Sequence, residues 1–294
     1  MSIIPQLIAN GIIAGGIYSL VALGYTMVYG ILKFINFAHG EIFMIGAYIA
    51  WLFNVVFGVN ILIAFLISMI GCAILGFIIE KVAYKPLRKA SRLAPLITAI
   101  GISLLLQSIA LLAFGAQIRT FRTGTIERGI PILGASITKI QIIIILVSLI
   151  LMLLLHFFVK YSRTGKAIRA VADNPELAST IGINIDKVIS IVFIIGSALA
   201  AAAGVLIGIE QNLQPTMGVS IGIKAFTAAV IGGIGNIYGA LIGGYLIGLI
   251  ENIGIWFIPS GYKDAIAFFV LLIMLLFRPE GLFGKKEAAE RVWK

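Results

Sequence analysis

The sequence predicts an all-α polytopic membrane protein with eight or nine transmembrane helices, at least one of them broken or re-entrant. Three observations lead there. Of 294 residues, 61% are hydrophobic and 12% are charged, whereas soluble globular chains are nearer half apolar and a quarter charged. The mean hydropathy of +1.11 is too high for an ordinary soluble enzyme or a disordered tail protein. The apolar residues also fall in long uncharged runs separated by short basic blocks.

The first run, residues 6–32, has 27 residues, about 40 Å as a helix at ~1.5 Å per residue, enough to span a bilayer with tilt. No charge precedes Lys33, so the basic start of a secretory signal is missing and a retained first helix is expected. Further runs cover residues 42–57, 61–79, 93–114, 140–159, 188–209, 225–250 and 265–277. They are apolar all round rather than alternating with period two, which favours helices over the strands of a membrane barrel. No internal repeat is evident, and the whole chain, 1–294, reads as a single transmembrane domain.

Lys and Arg total 22 against 12 Asp and Glu, a formal charge of +10. In a soluble domain this would raise nucleic acid as a partner; here topology explains it first, and no nucleic-acid partner is expected. Fifteen of the 22 basic residues form three blocks of five. These are Lys81, Lys85, Arg88, Lys89 and Arg92; Lys160, Arg163, Lys166, Arg169 and Lys187; and Arg278, Lys285, Lys286, Arg291 and Lys294. The positive-inside rule puts all three in the cytoplasm, including segment 160–187 and the tail 278–294. Segment 119–139 must then lie outside, although it carries four basic residues.

Only three hydropathy runs separate the second and third blocks, and three crossings would strand the tail outside. The place to break a run is Gly232-Gly233-Ile234-Gly235-Asn236. A break there gives a re-entrant loop or two crossings, tolerated at depth only against protein or a water-filled cavity. The alternative is a small-residue face for close helix packing, continued by Gly239, Gly243 and Gly244.

The polar inventory argues against an enzyme. The single cysteine, Cys72, excludes a disulfide framework or multi-cysteine metal site, and His39 and His156 are the only histidines. The sequence shows no zinc box, nucleophile with a base, or phosphate-binding loop. No metal or cofactor is expected on this chain. Catalytic residues are likewise not expected.

Two segments are polar out of pattern. Asn36, His39, Gly40 and Glu41 lie between two apolar runs. They read either as an unwound segment lining a polar pathway, with Glu41 held by a backbone amide or a basic residue, or as a headgroup-level turn. Gly232, Gly233, Gly235 and Asn236 join them as candidates for the pathway. In segment 160–187, Thr164 can cap a short helix ending at Asp173, and Asn174 a second with Pro175 at its first position and Gly182 as its stop. Such helices are too short to cross and lie at the membrane surface, to be touched by a partner or to pack on the bundle.

The run from Ala22 through Gly24, Tyr25, Tyr29 and Gly30, followed by Asn36-Phe37-Ala38-His39-Gly40-Glu41, resembles the N-terminal signature of permease subunits of branched-chain amino acid ABC transporters, and among them the shorter, H-type permease. The likeness continues through Gly165, Arg169, Asp173, Asn174 and Ala178, the glycines after Gly232, and the Arg278-Pro279-Glu280-Gly281 tail. It implies an importer of a bacterial cytoplasmic membrane with a second permease subunit in a heterodimer, two cytoplasmic ATPase subunits, an extracytoplasmic solute-binding protein and surrounding lipid. ATP and Mg²⁺ would be used by the ATPases. Arg163, Gly165, Arg169, Asp173, Asn174, Pro175, Ala178 and Gly182 would then occupy the ATPase-coupling loop. Related permeases handle urea or short amides, so the substrate stays open between these and leucine, isoleucine or valine. Two other readings remain: a proton-coupled carrier using Glu41, His39, Glu210 or Glu251, and a membrane scaffold without transport.

Overall fold

The computed structural model describes residues 3–88, 90–91, 93–121 and 129–284. Helix α1 (Ile4–Leu32) is followed by α2 (His39–Trp51), which runs into a π-helical turn at Leu52–Val56. Helix α3 (Ile61–Ile79) is prolonged by a second π turn, Glu80–Tyr84, and a short 3₁₀ turn. After α4 (Leu93–Phe114) comes a small hairpin, β1 (Ile130–Ile132) and β2 (Ala135–Ile137), then α5 (Lys139–Tyr161). Two short helices, α6 (Arg163–Asp173) and α7 (Pro175–Thr180), precede α8 (Ile185–Glu210). The chain closes with α9 (Met217–Gly232), α10 (Ile237–Gly254) and α11 (Lys263–Phe277).

Helix α1 is the axis of the bundle. It is buried almost continuously from Gly15 to Val28 and packs against α10, α8, α9 and α5. A helix apolar all round must be enclosed, which is why its sequence shows no polar stripe. The outer helices instead turn apolar side chains outward: Leu66 on α3, Leu112 on α4, Leu154 on α5 and Leu276 on α11 are all exposed. Lipid solvates such faces, and eight helices among the described residues are long and apolar enough to cross it. The chain is a multi-pass membrane protein.

Small residues bring the inner helices together. Gly11 and Gly15 of α1 face Gly248 and Tyr245 of α10, and a Cβ on Gly244 would sit 2.5 Å from the Ser19 backbone. Ser19 Oγ donates to the Leu241 carbonyl at 2.8 Å across the same contact. Helices α2 and α8 approach as closely, with Gly46 against Ala201 and Gly204 against the Phe43 carbonyl. Where lipid removes the hydrophobic drive between helices, such backbone-to-backbone packing holds them together.

The expected break lies at residues 233–236. Run 225–250 is two antiparallel helices, α9 and α10, and α9 reaches back to Met217. Hydropathy concealed the first half of α9 because Lys224 interrupts it. With sixteen residues, α9 is about 24 Å long, short of the ~30 Å hydrocarbon thickness. The preceding non-helical stretch, 211–216, makes up the difference. With α9 included, four helices, α8, α9, α10 and α11, follow the second basic block, and the tail beyond α11 returns to the end of α9 at Ile231 and Gly232.

Contacts sort the helix ends into two groups. Gln6 receives the Ser136 amide at 2.8 Å, Gln141 donates to Glu210 at 2.7 Å, and Arg119 pairs its backbone with Leu213. This gathers the start of α1, the hairpin, the start of α5 and the end of α8. At the opposite end Arg88 bridges Glu80 and Asp186, Lys85 meets Asp186 at 2.7 Å, and Gly30 faces Gly235. The described members of the basic blocks, Lys81, Lys85, Arg88, Lys160, Arg163, Lys166, Arg169, Lys187 and Arg278, lie at that end; Lys89, Arg92, Arg122, Arg128, Lys285, Lys286, Arg291 and Lys294 lie outside the described residues.

The packing of α1 on α10 makes a direct prediction. Gly244→Ala should cost about 1–3 kcal/mol through overpacking, seen as earlier loss of monodisperse protein on heating in detergent. Gly101→Ala on α4, which has open space around it, should leave that temperature unchanged or raise it.

Candidate functional site

The segment after α1 turns back into the bundle. Helix α1 ends at Lys33 in the left-handed conformation, φ 56°, and five non-helical residues lead to His39 at the start of α2. His39 is buried between Gly24 of α1 and Gly196 of α8, and no Cβ could share the space its ring takes beside Gly24. Gly24 lies about 12 Å before the end of α1 at ~1.5 Å per residue. The first turn of α2 is therefore sunk within the bundle, not level with its end.

Neighbouring helices hold this turn. Asn36 Oδ1 accepts the Tyr84 hydroxyl at 2.6 Å and the Ala38 amide at 3.2 Å, and Tyr84 packs on Phe34 and Phe193. Tyr25 meets the His39 ring edge-on, centroids 4.8 Å apart. Gly40 lies against Gly218 and Gly222 of α9, so two backbones touch. Glu41, also buried, presses on Gly218, and its Oε1 accepts from Ser103 Oγ of α4 at 3.4 Å. Among the described residues this hydroxyl replaces the backbone amide or basic partner expected for Glu41. Among the described residues, Asn36 Nδ2, His39 Nε2 and Glu41 Oε2 have no protein partner. Three such atoms within six residues leave room there for water or a polar solute to hydrogen-bond.

Gly232, Gly233, Gly235 and Asn236 do not join this cluster. They form the turn at the far end of α9, with Gly233 and Gly235 at φ 96° and 99°. Asn236 caps α10 through the amides of Tyr238 and Gly239, and its Nδ2 donates to the Phe283 carbonyl at 2.9 Å. The tail completes the cap: the Leu282 and Phe283 amides donate to the carbonyls of Ile231 and Gly232, at 2.8 and 3.2 Å. These are two of the acceptors left bare at a helix C-terminus.

The middle of α9 carries a charge cluster of which the sequence reading named only Glu251, missing Lys224 and Asp264. Lys224 is 7% exposed, and its Nζ lies 2.8 Å from both Glu251 Oε1 of α10 and Asp264 Oδ1 of α11. Tyr18 of α1 donates its hydroxyl to Glu251 Oε2 at 2.9 Å and lays its ring under the ammonium. Two adjoining cavities, of about 580 and 460 Å³, share Thr216, Ser220 and Asp264 in their walls, and Lys224 lines the second. A signal was available: Lys224 is the only charged residue between Glu210 and Glu251, and ionisable groups at membrane depth are rarely idle.

The two short helices lie at the basic end. The cap of α6 is Ser162, not Thr164: with an extended backbone (φ −71°, ψ 155°) its Oγ accepts the Gly165 amide at 2.8 Å, and the helix starts one residue before Thr164. Ser162 also ends α5, and Gly165 touches the Phe158 and Val159 carbonyls, so α6 folds back tightly on α5. Ile168, Val171 and Ala178 face the bundle, while Arg163, Arg169, Asp173 and Pro175 are exposed. Asn174 caps α7 through the amides of Glu176 and Leu177, and Gly182, φ 84°, turns the chain toward α8. Two large apolar side chains, Leu177 and Ile181, stand 64% and 74% exposed on this projection.

A helical bundle with paired inner charges and a short helical projection at its basic end has the form of a transporter's membrane subunit. Residues 7–275 match the family model described as the branched-chain amino acid transport system / permease component, and the chain belongs to that family. It is 43% identical to the high-affinity branched-chain amino acid transport system permease protein BraD of Pseudomonas aeruginosa, over 96% of each chain. It is 42% identical to the corresponding protein LivH of Escherichia coli, again over 96% of each. Among solved structures it resembles PsaBC from Streptococcus pneumoniae, with a TM-score of 0.52, 13% identity and coverage of 93% of this chain and 92% of that one, a likeness of fold.

The charge cluster also bears on stability. Lys224→Met strands Glu251 as an uncompensated buried carboxylate and should cost about 3–5 kcal/mol, lowering folded yield in detergent. Adding Glu251→Gln, which removes the stranded charge, should recover most of that loss.

Proposed function

We propose that this chain is the permease subunit of an ABC importer moving leucine, isoleucine and valine across a bacterial cytoplasmic membrane, with the basic end and the tail in the cytoplasm. Family membership and the high identity to two branched-chain amino acid permeases support the substrate class. The observation that carries the energy-coupling part is the α6–α7 projection, fixed to α5 through Ser162 and Gly165 and tipped by exposed Leu177 and Ile181. Exposed apolar residues of this size on a rigid projection suit a groove on a partner.

In this reading two ATPase subunits receive α6–α7 of this chain and of a second permease subunit, forming a heterodimer in lipid. Arg163, Gly165, Arg169, Asp173, Asn174, Pro175, Ala178 and Gly182 form or support that contact. ATP with Mg²⁺ is bound and hydrolysed by the ATPases, not by this chain. Closure of the ATPase pair moves α6 as a rigid body, and α5 and α8 carry the motion to the interior, where Asn36, His39, Gly40 and Glu41 meet α9. An extracytoplasmic solute-binding protein delivers the amino acid to the opposite end. The Gly232–Asn236 turn holds α9 to α10 and the tail while they move.

The test is leucine uptake in proteoliposomes containing the complete importer. Uptake should require ATP, the ATPases and the binding protein, and should persist when a proton ionophore collapses the gradient. Uptake by this chain alone, or its loss to the ionophore at constant ATP, would contradict the reading. Leu177→Asp should lower uptake by about tenfold or more through burial of a charge at the contact, while the chain still inserts and purifies as before.

A further inference from the structure

Lys224 holds two unlike carboxylates. Glu251 is 1% exposed and closed over by Tyr18, so it is the permanent counter-ion. Asp264, at the start of α11, keeps 55% of its side chain exposed and lines both cavities. Only the contact between Lys224 and Asp264 can be opened from the cavity without stranding a buried charge.

With one ammonium and two carboxylates, the cluster has a formal charge of −1. A free anion would add to that excess, and a neutral molecule such as urea could offer only ion–dipole hydrogen bonds, weaker than the charge–charge contact it would have to displace. A zwitterion adds no net charge and can take both halves of the open contact: its carboxylate replaces Asp264 on Lys224, and its ammonium pairs with the freed Asp264. Each charge-assisted bond broken is then replaced by one of the same kind. Ile207, Met217 and Ile221 line the larger cavity beside Asp264 and offer apolar surface to an aliphatic side chain.

We propose that Lys224 and Asp264 form an α-amino-acid site at the extracytoplasmic mouth of α9, reading the carboxylate and the ammonium of an aliphatic amino acid together. The site rests on the transport reading for its direction. It selects a zwitterion over urea or a short amide.

Labelling of a single cysteine tests the site without ATP. Cys72, the only cysteine in the sequence, is buried, so Thr216→Cys, on the wall of both cavities, supplies the one accessible thiol of this chain, and labelling is read on this chain after the subunits are separated. The full chain, in the complex it purifies with and held in lipid nanodiscs, is reacted with N-ethylmaleimide. Leucine at about ten times its dissociation constant should slow labelling roughly tenfold by occupancy. Leucinamide and 4-methylpentanoate each lose one charged contact and should need roughly tenfold more for the same protection, and urea should not protect. Asp264→Asn should abolish protection, read as the ratio of labelling rates with and without leucine in the same variant, and Asp264→Glu should restore it. No protection by leucine, equal protection by 4-methylpentanoate or urea, or full protection in Asp264→Asn overturns the site. The ligand comparison needs no change at Asp264, so it stands even if Asp264→Asn does not assemble. A complex that imports leucine with ATP but shows no protection loses this site and keeps the transport reading; a protected chain whose uptake ignores ATP does the reverse.

Discussion

Charges and bare backbone inside a lipid-facing bundle cannot turn to water, so the protein must satisfy them from within. That constraint shapes the middle of this molecule. Lys224 is tolerable because Glu251 and Asp264 reach it from two other helices and Tyr18 closes over the pair. The carbonyls at the end of α9 are tolerable because the tail folds back to donate to them. A short helix carrying an interior lysine and an uncapped end would be costly alone; anchored at both places, α9 can stop short of a full span. The stretch 211–216 and the cavities beside it fill the space left over.

The same constraint separates rigid parts from movable ones. Helices α1 and α10 meet backbone to backbone along their length, with glycines where any side chain would intrude. The first turn of α2 also touches α9 through glycines, but there it leaves Asn36 Nδ2, His39 Nε2 and Glu41 Oε2 without protein partners. The first interface reads as scaffold. The second is polar and, among the described residues, under-satisfied; in the transport reading proposed above it is where a pathway opens.

Much of this was legible in the residues. Long uncharged runs gave seven of the spans closely, the described members of the basic blocks share one end of the bundle, and Asn174-Pro175 placed the start of α7 because an amide cap followed by proline has few other uses. The glycine run predicted a break that the structure contains. What escaped was set by tertiary contact. The first half of α9 is hidden from hydropathy by Lys224, whose cost vanishes only when two carboxylates distant in sequence come within 2.8 Å. Ser162 outcompeted Thr164 as a cap because the end of α5 fixes its extended backbone, and no local pattern reveals that. Asn236, a pathway candidate in the sequence, caps α10 in the structure, a role its position before a helix start also allowed.

The central claim is that this chain is a conduit whose energy comes from a partner. It is tested most directly by the mass and composition of the complex that the full chain draws from the membrane in mild detergent. The account predicts an assembly containing a second permease subunit and ATPase subunits, lost when the α6–α7 projection is disrupted. A fully active chain that purifies without any ATPase would contradict it.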